Sequence, residues 1–375
     1  MCEPCQGLPL AGFLSLEDCS LLWFASKVHL THTSKISYNG SMGIENKIRV
    51  GIIRGGPSKE YDVSLKTGGV ILKNLSESFY DTYDILIDKT GVWHIGGIPT
   101  KIARVADKID VVVNALHGKY GEDGGVQKDL EQLNIPYTGS GVLSSSVAMN
   151  KKMAKDILKK AGVQTPSYVI IEARDYTNMK DGEEDILKEA ISIFRSFPQP
   201  SIIKPIKGSS IGITLALDFN TFIDAIKNTI KETGSVMIEE YIKGREATCG
   251  VIEDFRGEDI YVLPSIEIIH SGEHPFFNYE AKYGGKTREE CPSNFSKADK
   301  RQIAEISKKV HKELNLRHYS RSDFIISPTR GIYFLEVNTL PGLTQESLLP
   351  KSIQAVGSKL SDFLNHIIEL AINKK

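Results

Sequence analysis

The chain has 375 residues, with 46 Lys and Arg against 47 Asp and Glu, a net charge of −1 and 41% hydrophobic residues. That length accommodates two or three domains with a large core. The even charge balance excludes bulk electrostatic attraction to nucleic acid or an anionic membrane, and no apolar run approaches the roughly 20 residues needed to span a bilayer.

The five cysteines are sparse and odd in number. They argue against a disulfide framework and for a reducing, cytoplasmic setting. Cys2-Glu-Pro-Cys5 has no second cysteine or histidine pair to complete a zinc site. Residues 1–47 do not match the rest. Leu14–Leu30 is interrupted by charges and lacks a basic leader, so the segment is expected to be a disordered extension, with Met42 as an alternative start.

From residue 48 the elements alternate. Lys47–Ile53 reads as a buried strand, followed by a Gly-Gly-Pro turn and a helix to about Leu75. A strand, a glycine turn and a helix open a doubly wound α/β unit, with the helix start facing the ligand side. Tyr83–Ile87 and Val111–Ala115 are further strands, and Lys89–Pro99 is a hairpin or loop. The second of those strands runs into a glycine-rich loop, Leu116–Gly125, at the strand end where open α/β sheets bind ligands. Helix Val126–Leu133 and Pro136-Tyr-Thr-Gly-Ser-Gly141 close a first domain.

Val142–Ala161 reads as one helix ending at Gly162. Tyr168–Ile171 starts a new sheet, and Gly182–Phe197 is an amphipathic helix. Strand Ser201–Lys204 delivers Lys204 into the loop Gly208-Ser-Ser-Ile-Gly212. Such a loop suits phosphate, because glycine allows close backbone approach and serine donates; it equally suits a plain hairpin turn. Helix Thr221–Lys231 and strands Val236–Ile242, Gly244–Ile252 and Val262–Ile268 follow. Phe276–Glu290 is too polar for core and reads as a surface or lid loop. Lys297–Leu314 is a helix. The apolar stripe Leu360, Phe363, Leu364, Ile367 and Ala371 marks a final core-packed helix.

The most informative stretch is Ser320–Ser327 joined to Gly331–Asn338 by a short turn. A symmetric hairpin sets Asp323 opposite Glu336 and Arg321 opposite Asn338, with Cβ atoms roughly 4.5–5.5 Å apart. Strand alternation puts Ile332, Phe334, Glu336 and Asn338 on one side. Two carboxylates that close repel unless a cation joins them, and hard oxygen ligands suit Mg²⁺. The bland reading is an edge strand with solvated charges and one Asp–Arg pair.

These stretches together resemble the D-alanine–D-alanine ligases of the ATP-grasp superfamily. The resemblance runs from about 48 to 372. It rests on Gly55–Leu65, Ala115–Gly118 with Gly121–Gly124, Pro136–Gly141, Lys204-Pro with Gly208–Gly212, Tyr279–Tyr283, Arg321-Ser-Asp323, and Glu336-Val-Asn338 with Pro341-Gly342 and Ser347. It implies an α/β and α+β chain: an N-terminal doubly wound parallel-sheet domain (48–140), then a two-lobed ATP-grasp fold. The central lobe would be 141–238, and the C-terminal lobe, 239–375, would carry the metal site and lid loop.

It also implies an ATP-dependent reaction in two steps, an acyl phosphate from one D-alanine and displacement by the amine of a second. By resemblance, Asp323, Glu336 and Asn338 hold two Mg²⁺ (or Mn²⁺) ions. Lys151, Lys204 and Ser210 meet the phosphates, while Glu239, Glu240, Ile242 and Glu246 hold adenine and ribose. Glu60 takes the first substrate's ammonium, with Ser209 and Tyr283 as partners. Arg321 and the Gly342 NH stabilise the oxyanion. Lys282 and Ser347 take the second carboxylate. His117 lies near the first substrate, or serves only to order its glycine loop. A homodimer is implied as well, with no nucleic-acid or membrane partner.

Three positions depart from the family pattern. The Lys204–Gly208 segment is one residue short, Tyr61 replaces an arginine, and Asn150 replaces an aspartate. None removes a group assigned to chemistry. A ligase using D-lactate or another D-amino acid as second substrate, and a nucleotide-binding regulator without catalysis, are the alternatives. Tyr283 favours an amine nucleophile, and retention of the metal carboxylates disfavours the regulator.

Overall fold

A computed structural model describes residues 47–172, 182–208, 212–270 and 287–373. The expected extension before residue 47, the loop residues Ser209 and Ser210, and Lys282 and Tyr283 lie outside the described residues. Among the described residues no helix is long and apolar enough to cross a membrane.

Three sheets carry the chain. The first combines β1 (Ile48–Gly55), β2 (Tyr80–Ile87), β3 (Trp93–Ile95), β4 (Ile98–Thr100) and β5 (Val111–Asn114) in the order β4-β3-β2-β1-β5. β1 runs parallel to β2 and β5, while β3 and β4 add an antiparallel hairpin, so the sheet is mixed rather than wholly parallel. Its central strands β1 and β5 are apolar through Val50–Ile53 and Val111–Val113 because both faces are covered there. Val50, Ile52, Val111 and Val113 pack on Phe363, Leu364 and Ile367 of helix Leu360–Asn373. Ile53, Ile85 and Val112 pack on Val126 and Leu130 of helix Gly125–Gln132. The C-terminal stripe is core, and it closes the N-terminal sheet.

The second sheet is antiparallel, with β6 (Tyr168–Glu172), β7 (Ser201–Lys204), β8 (Thr214–Ala216) and β9 (Ser235–Glu240) in the order β6-β9-β7-β8. Helices Gly182–Ser196 and Phe219–Thr233 cover one face, where Ala190, Ile193, Phe222 and Ile226 meet Ile171, Ile203 and Ile238. Alternation sends Ile202, Lys204 and Glu239 to the other face, which lines a cleft.

The third sheet contains β10 (Arg245–Phe255), β11 (Glu258–Val262), β12 (Ile266–His270), β13 (Thr287–Glu290), β14 (Tyr319–Ser327) and β15 (Gly331–Asn338). Its order is β13-β12-β10-β14-β15, with β11 also paired to β10. Helix Lys297–Glu313 packs on it. So do residues of helices Val142–Met149 and Lys151–Lys160, although sequence order places these ahead of the central sheet.

Four sequence expectations need correction. The single helix over 142–161 is two helices, broken at Asn150, whose extended backbone and side chain cap the second by accepting from the Met153 N–H at 3.1 Å. The strand expected at 262–268 is divided between β11 and β12, with Pro264, which has no N–H to donate to a ladder, between them. Residues 287–290, expected in a polar loop, form β13 against β12. Finally, β14 and β15 pair in the expected register, with Asp323 opposite Glu336 and Arg321 opposite Asn338, but a bulge lies between Asp323 and Phe324. The extra residue, Leu335, reverses the phase of β15. Val337 therefore joins Ile332 and Phe334 in the core, and Glu336 and Asn338 face away from them, on to the clefts.

Candidate active site

Two clefts meet at the hairpin, enclosing about 940 and 1150 Å³ of space out to their mouths. Both are large enough for a nucleotide or several small molecules. Glu336 lines both.

The first lies between the central and C-terminal sheets. β7 and β9 pair Ile202 with Glu239, so Lys204, two residues on, is diagonal to Glu239. Long side chains bridge that diagonal. The Lys204 ammonium donates to Glu239 Oε2, and Lys155 Nζ lies 2.6 Å from Glu239 Oε1. All three are buried. Burial raises the Glu239 carboxyl, but Lys155 and Lys204 outweigh it and hold it below the usual carboxylate range. Glu240 and Ile242 line the same cleft, Ile242 packed on Ile325 and Tyr333. The Glu240 carboxylate pairs with Arg330 at 2.5 Å, and Glu246 lies 3.2 Å from His270 Nε2.

Lys151, the first residue of helix Lys151–Lys160, lines the second cleft beside Glu336, where the two clefts meet. Its Nζ lies 3.1 Å from Glu336 Oε2 and donates to the Gly208 carbonyl at 2.7 Å. Its backbone N–H donates to Ile206 O at 2.9 Å, which fastens the helix to the segment after Lys204.

The hairpin face is tightly bonded. Arg321 grips Asp323 in a fork, Nε to Oδ1 and Nη2 to Oδ2, both 3.0 Å. Thr248 Oγ1 donates to Asp323 Oδ1 at 2.6 Å, and Asn338 Nδ2 to Asp323 Oδ2 at 3.1 Å. Among the described residues there is no group of three or more His, Cys, Asp or Glu arranged for a metal. The hairpin instead offers two cross-strand carboxylates and one amide oxygen. That donor set fits Mg²⁺, which commonly uses one or two protein carboxylates and fills its sphere with phosphate and water.

The second cleft gathers residues from distant parts of the chain. Glu60 precedes helix Tyr61–Asn74. Gly118 adopts φ 69°, which favours glycine, and passes close to Ser58 Oγ and Glu60 Oε2, which a Cβ there would meet at 2.5 and 2.7 Å. Its N–H donates to Glu122 Oε2 at 2.6 Å. Desolvation, then the neighbouring Glu60 charge, push Glu122 up to about 8, so Glu122 keeps its proton at neutral pH. His117 is buried, with Nε2 3.0 Å from Thr67 Oγ1. Burial brings its ring down to about 4, so it is neutral in use. Arg321, Gly342 and Ser347 complete the wall. Ser347 shares a hydrogen bond with Thr344 at 2.8 Å, and a Cβ on Gly342 would meet Ser347 Oγ at 2.8 Å.

The described candidates thus converge on two adjoining clefts. Sequence reading missed Lys155, Glu122 and Thr248. Lys155 had a signal, lying one helical turn beyond Lys151 on the same face. Glu122 lay in a loop already singled out. Thr248 had none, since only the β10–β14 register places it beside Asp323.

A family model described as the D-ala D-ala ligase C-terminus matches residues 157–369, and one for the D-ala D-ala ligase N-terminus matches 98–140. A D-alanine–D-alanine ligase of Desulfotalea psychrophila is 35% identical over 333 residues, covering 88% of this chain and 96% of that one. The crystal structure of the Bacillus anthracis ligase complexed with ATP is 35% identical, with a TM-score of 0.68 over 87% of this chain and 97% of that one. The VanG D-Ala:D-Ser ligase of Enterococcus faecalis is 29% identical, with a TM-score of 0.74 over 87% and 99%. Family models, relatives over nearly their whole length and structural likeness agree: this chain belongs to the D-alanine–D-alanine ligase family.

Proposed function

We propose that this chain joins two D-alanine molecules, using ATP and releasing ADP and phosphate, to supply the dipeptide for peptidoglycan precursors. The observation that carries the reading is the junction of the two clefts at Glu336. One cleft has Lys204, backed by buried Lys155, suited to an anionic nucleotide; the other has carboxylates and Arg321, with Lys151 at the junction, suited to a zwitterionic amino acid.

In this reading Lys151 and Lys204 bind phosphates. Glu239, Glu246 and the backbone of Glu240 and Ile242 hold base and ribose. Asp323, Glu336 and Asn338 would hold Mg²⁺ or Mn²⁺, two ions in all, and bound metal supplies neutralisation of charge on the β- and γ-phosphates. Glu60 takes the ammonium group of the first D-alanine, with Glu122 protonated beside it. The carboxylate of that D-alanine attacks the γ-phosphorus, the β–γ bond breaks and ADP leaves. The amine of the second D-alanine then attacks the acyl carbon and phosphate departs. Arg321 and the Gly342 N–H stabilise the oxyanion between these events. Ser347 and Lys282 hold the second carboxylate, and Ser209, Ser210 and Tyr283 close the site. Asn150, in place of the expected aspartate, still caps its helix.

The finer architecture belongs to the same proposal: an ATP-grasp fold with lobes 141–238 and 239–375 after a 48–140 substrate domain, in a cytoplasmic homodimer. The likeness to VanG motivates one second reading, D-serine as the second substrate. Incubation with ATP, Mg²⁺, D-alanine, D-serine and D-lactate together, with products weighed by mass spectrometry, separates these. D-alanyl-D-alanine with D-alanine-dependent ADP release is expected. A mixed product would reassign the second substrate, and ADP release indifferent to D-alanine would remove the ligase reading.

A further inference from the structure

Helix Lys151–Lys160 carries two buried lysines one turn apart, Lys151 on the wall of the second cleft and Lys155 behind Glu239 of the nucleotide cleft. Lys151 reaches Glu336, and Lys155 reaches Glu239 Oε1 at 2.6 Å. Lys155 is wholly buried and is not part of the cleft wall. Whatever it does for a nucleotide, it does through Glu239.

The charge count shows what that is. Lys204 alone with Glu239 forms a neutral pair, which leaves no net attraction for phosphate at that point. Lys155 on the second carboxylate oxygen makes the trio +1. Burial brings Lys155 down to about 8, with Glu239 opposing the fall, so the ammonium persists at neutral pH. The same helix is fastened to Ile206 and Gly208, so the trio and the segment after Lys204 share one support.

We propose that Lys155 is a positioning residue for nucleotide binding: its buried ammonium fixes Glu239 and offsets its charge, so that Lys204 retains its own charge for the phosphates. The inference rests on the nucleotide reading of this cleft. A residue that merely filled space would affect stability without this charge dependence.

The test is calorimetric titration of the intact protein with the β,γ-imido analogue of ATP and Mg²⁺, beside the KM for D-alanine. Lys155→Met should weaken analogue binding about tenfold or more while the D-alanine KM stays within about twofold. Because Glu239 itself is placed against base and ribose, Lys155→Met is also read in a Glu239→Gln background, where Lys204 has no carboxylate to pair with. There the added loss should stay within about twofold of Glu239→Gln alone. If Lys155→Met alone does not fold, this pair decides: an added loss within about twofold supports the inference, and a further loss of about tenfold overturns it. Unchanged affinity in Lys155→Met alone overturns it too. A parent protein that binds no analogue overturns the nucleotide reading, and the inference with it.

Discussion

The two clefts solve different electrostatic problems. In the nucleotide cleft every carboxylate is matched by a base: Glu239 by Lys204 and Lys155, Glu336 by Lys151, Asp323 by Arg321. On the proposed reading the ligand would bring metal and phosphate together, so carboxylates and ammonium groups would each find a new partner. In the substrate cleft Glu60 and Glu122 stand together, and His117 is kept neutral by burial. On the proposed reading Glu60 there meets the ammonium group of an amino acid. On the proposed reading, the ion pairs of one site prepare it for an anionic nucleotide, while Glu60, the protonated Glu122 and Arg321 prepare the other for a zwitterion.

Four substitutions would break or sharpen this contrast. The largest effect is expected at Glu336, which belongs to both clefts. Glu336→Gln keeps shape and removes one metal charge, so kcat should fall by about 10²-fold or more in a folded protein. Near-normal turnover, measured by ADP release, would detach the metal from this hairpin. Next comes Glu60→Gln, which acts on one cleft only. The KM for D-alanine should rise about tenfold or more with the nucleotide Kd within about twofold, whereas parallel losses would deny that the clefts are separable.

How much of this contrast was legible in the sequence depends on chain distance. Asp323, Glu336, Arg321 and Asn338 sit on one hairpin, so period-two alternation and a short turn gave their pairing directly. The bulge at Leu335 was not legible, because the run Ile332–Val337 is apolar at every position but Glu336 and carries no phase. The substrate cleft joins Glu60, His117, Arg321 and Ser347 across nearly 290 positions, 347 − 60 = 287. No local pattern encodes that meeting, and only the family resemblance anticipated it. The break at Asn150 went unread because no glycine or proline marks it, although asparagine, a preferred N-cap and a poor interior residue, was the available signal.

A third variant tests the neutral histidine. With the folded ring at about 4 against the ordinary 6.5, the unfolded chain binds the extra proton between those values. Stability therefore rises with pH across that window and is fully present above it, by about 3 kcal/mol for this one group. His117→Gln should flatten the denaturation slope between pH 4 and 6.5 by that order; an unchanged slope would mean the ring is not buried uncharged. The smallest effect is expected at Asn150, outside both clefts. Asn150→Ala should cost about 1 kcal/mol by denaturant titration and Asn150→Asp close to nothing, and equal losses would deny the cap.

The claim that phosphate passes from the nucleotide cleft to a carboxylate in its neighbour has a direct test. D-alanine labelled with ¹⁸O in both carboxylate oxygens is incubated with the protein, ATP and Mg²⁺, and the released inorganic phosphate is weighed. One labelled oxygen per phosphate is expected, because the attacking carboxylate oxygen leaves with the phosphoryl group. Phosphate free of label alongside normal dipeptide formation would contradict it.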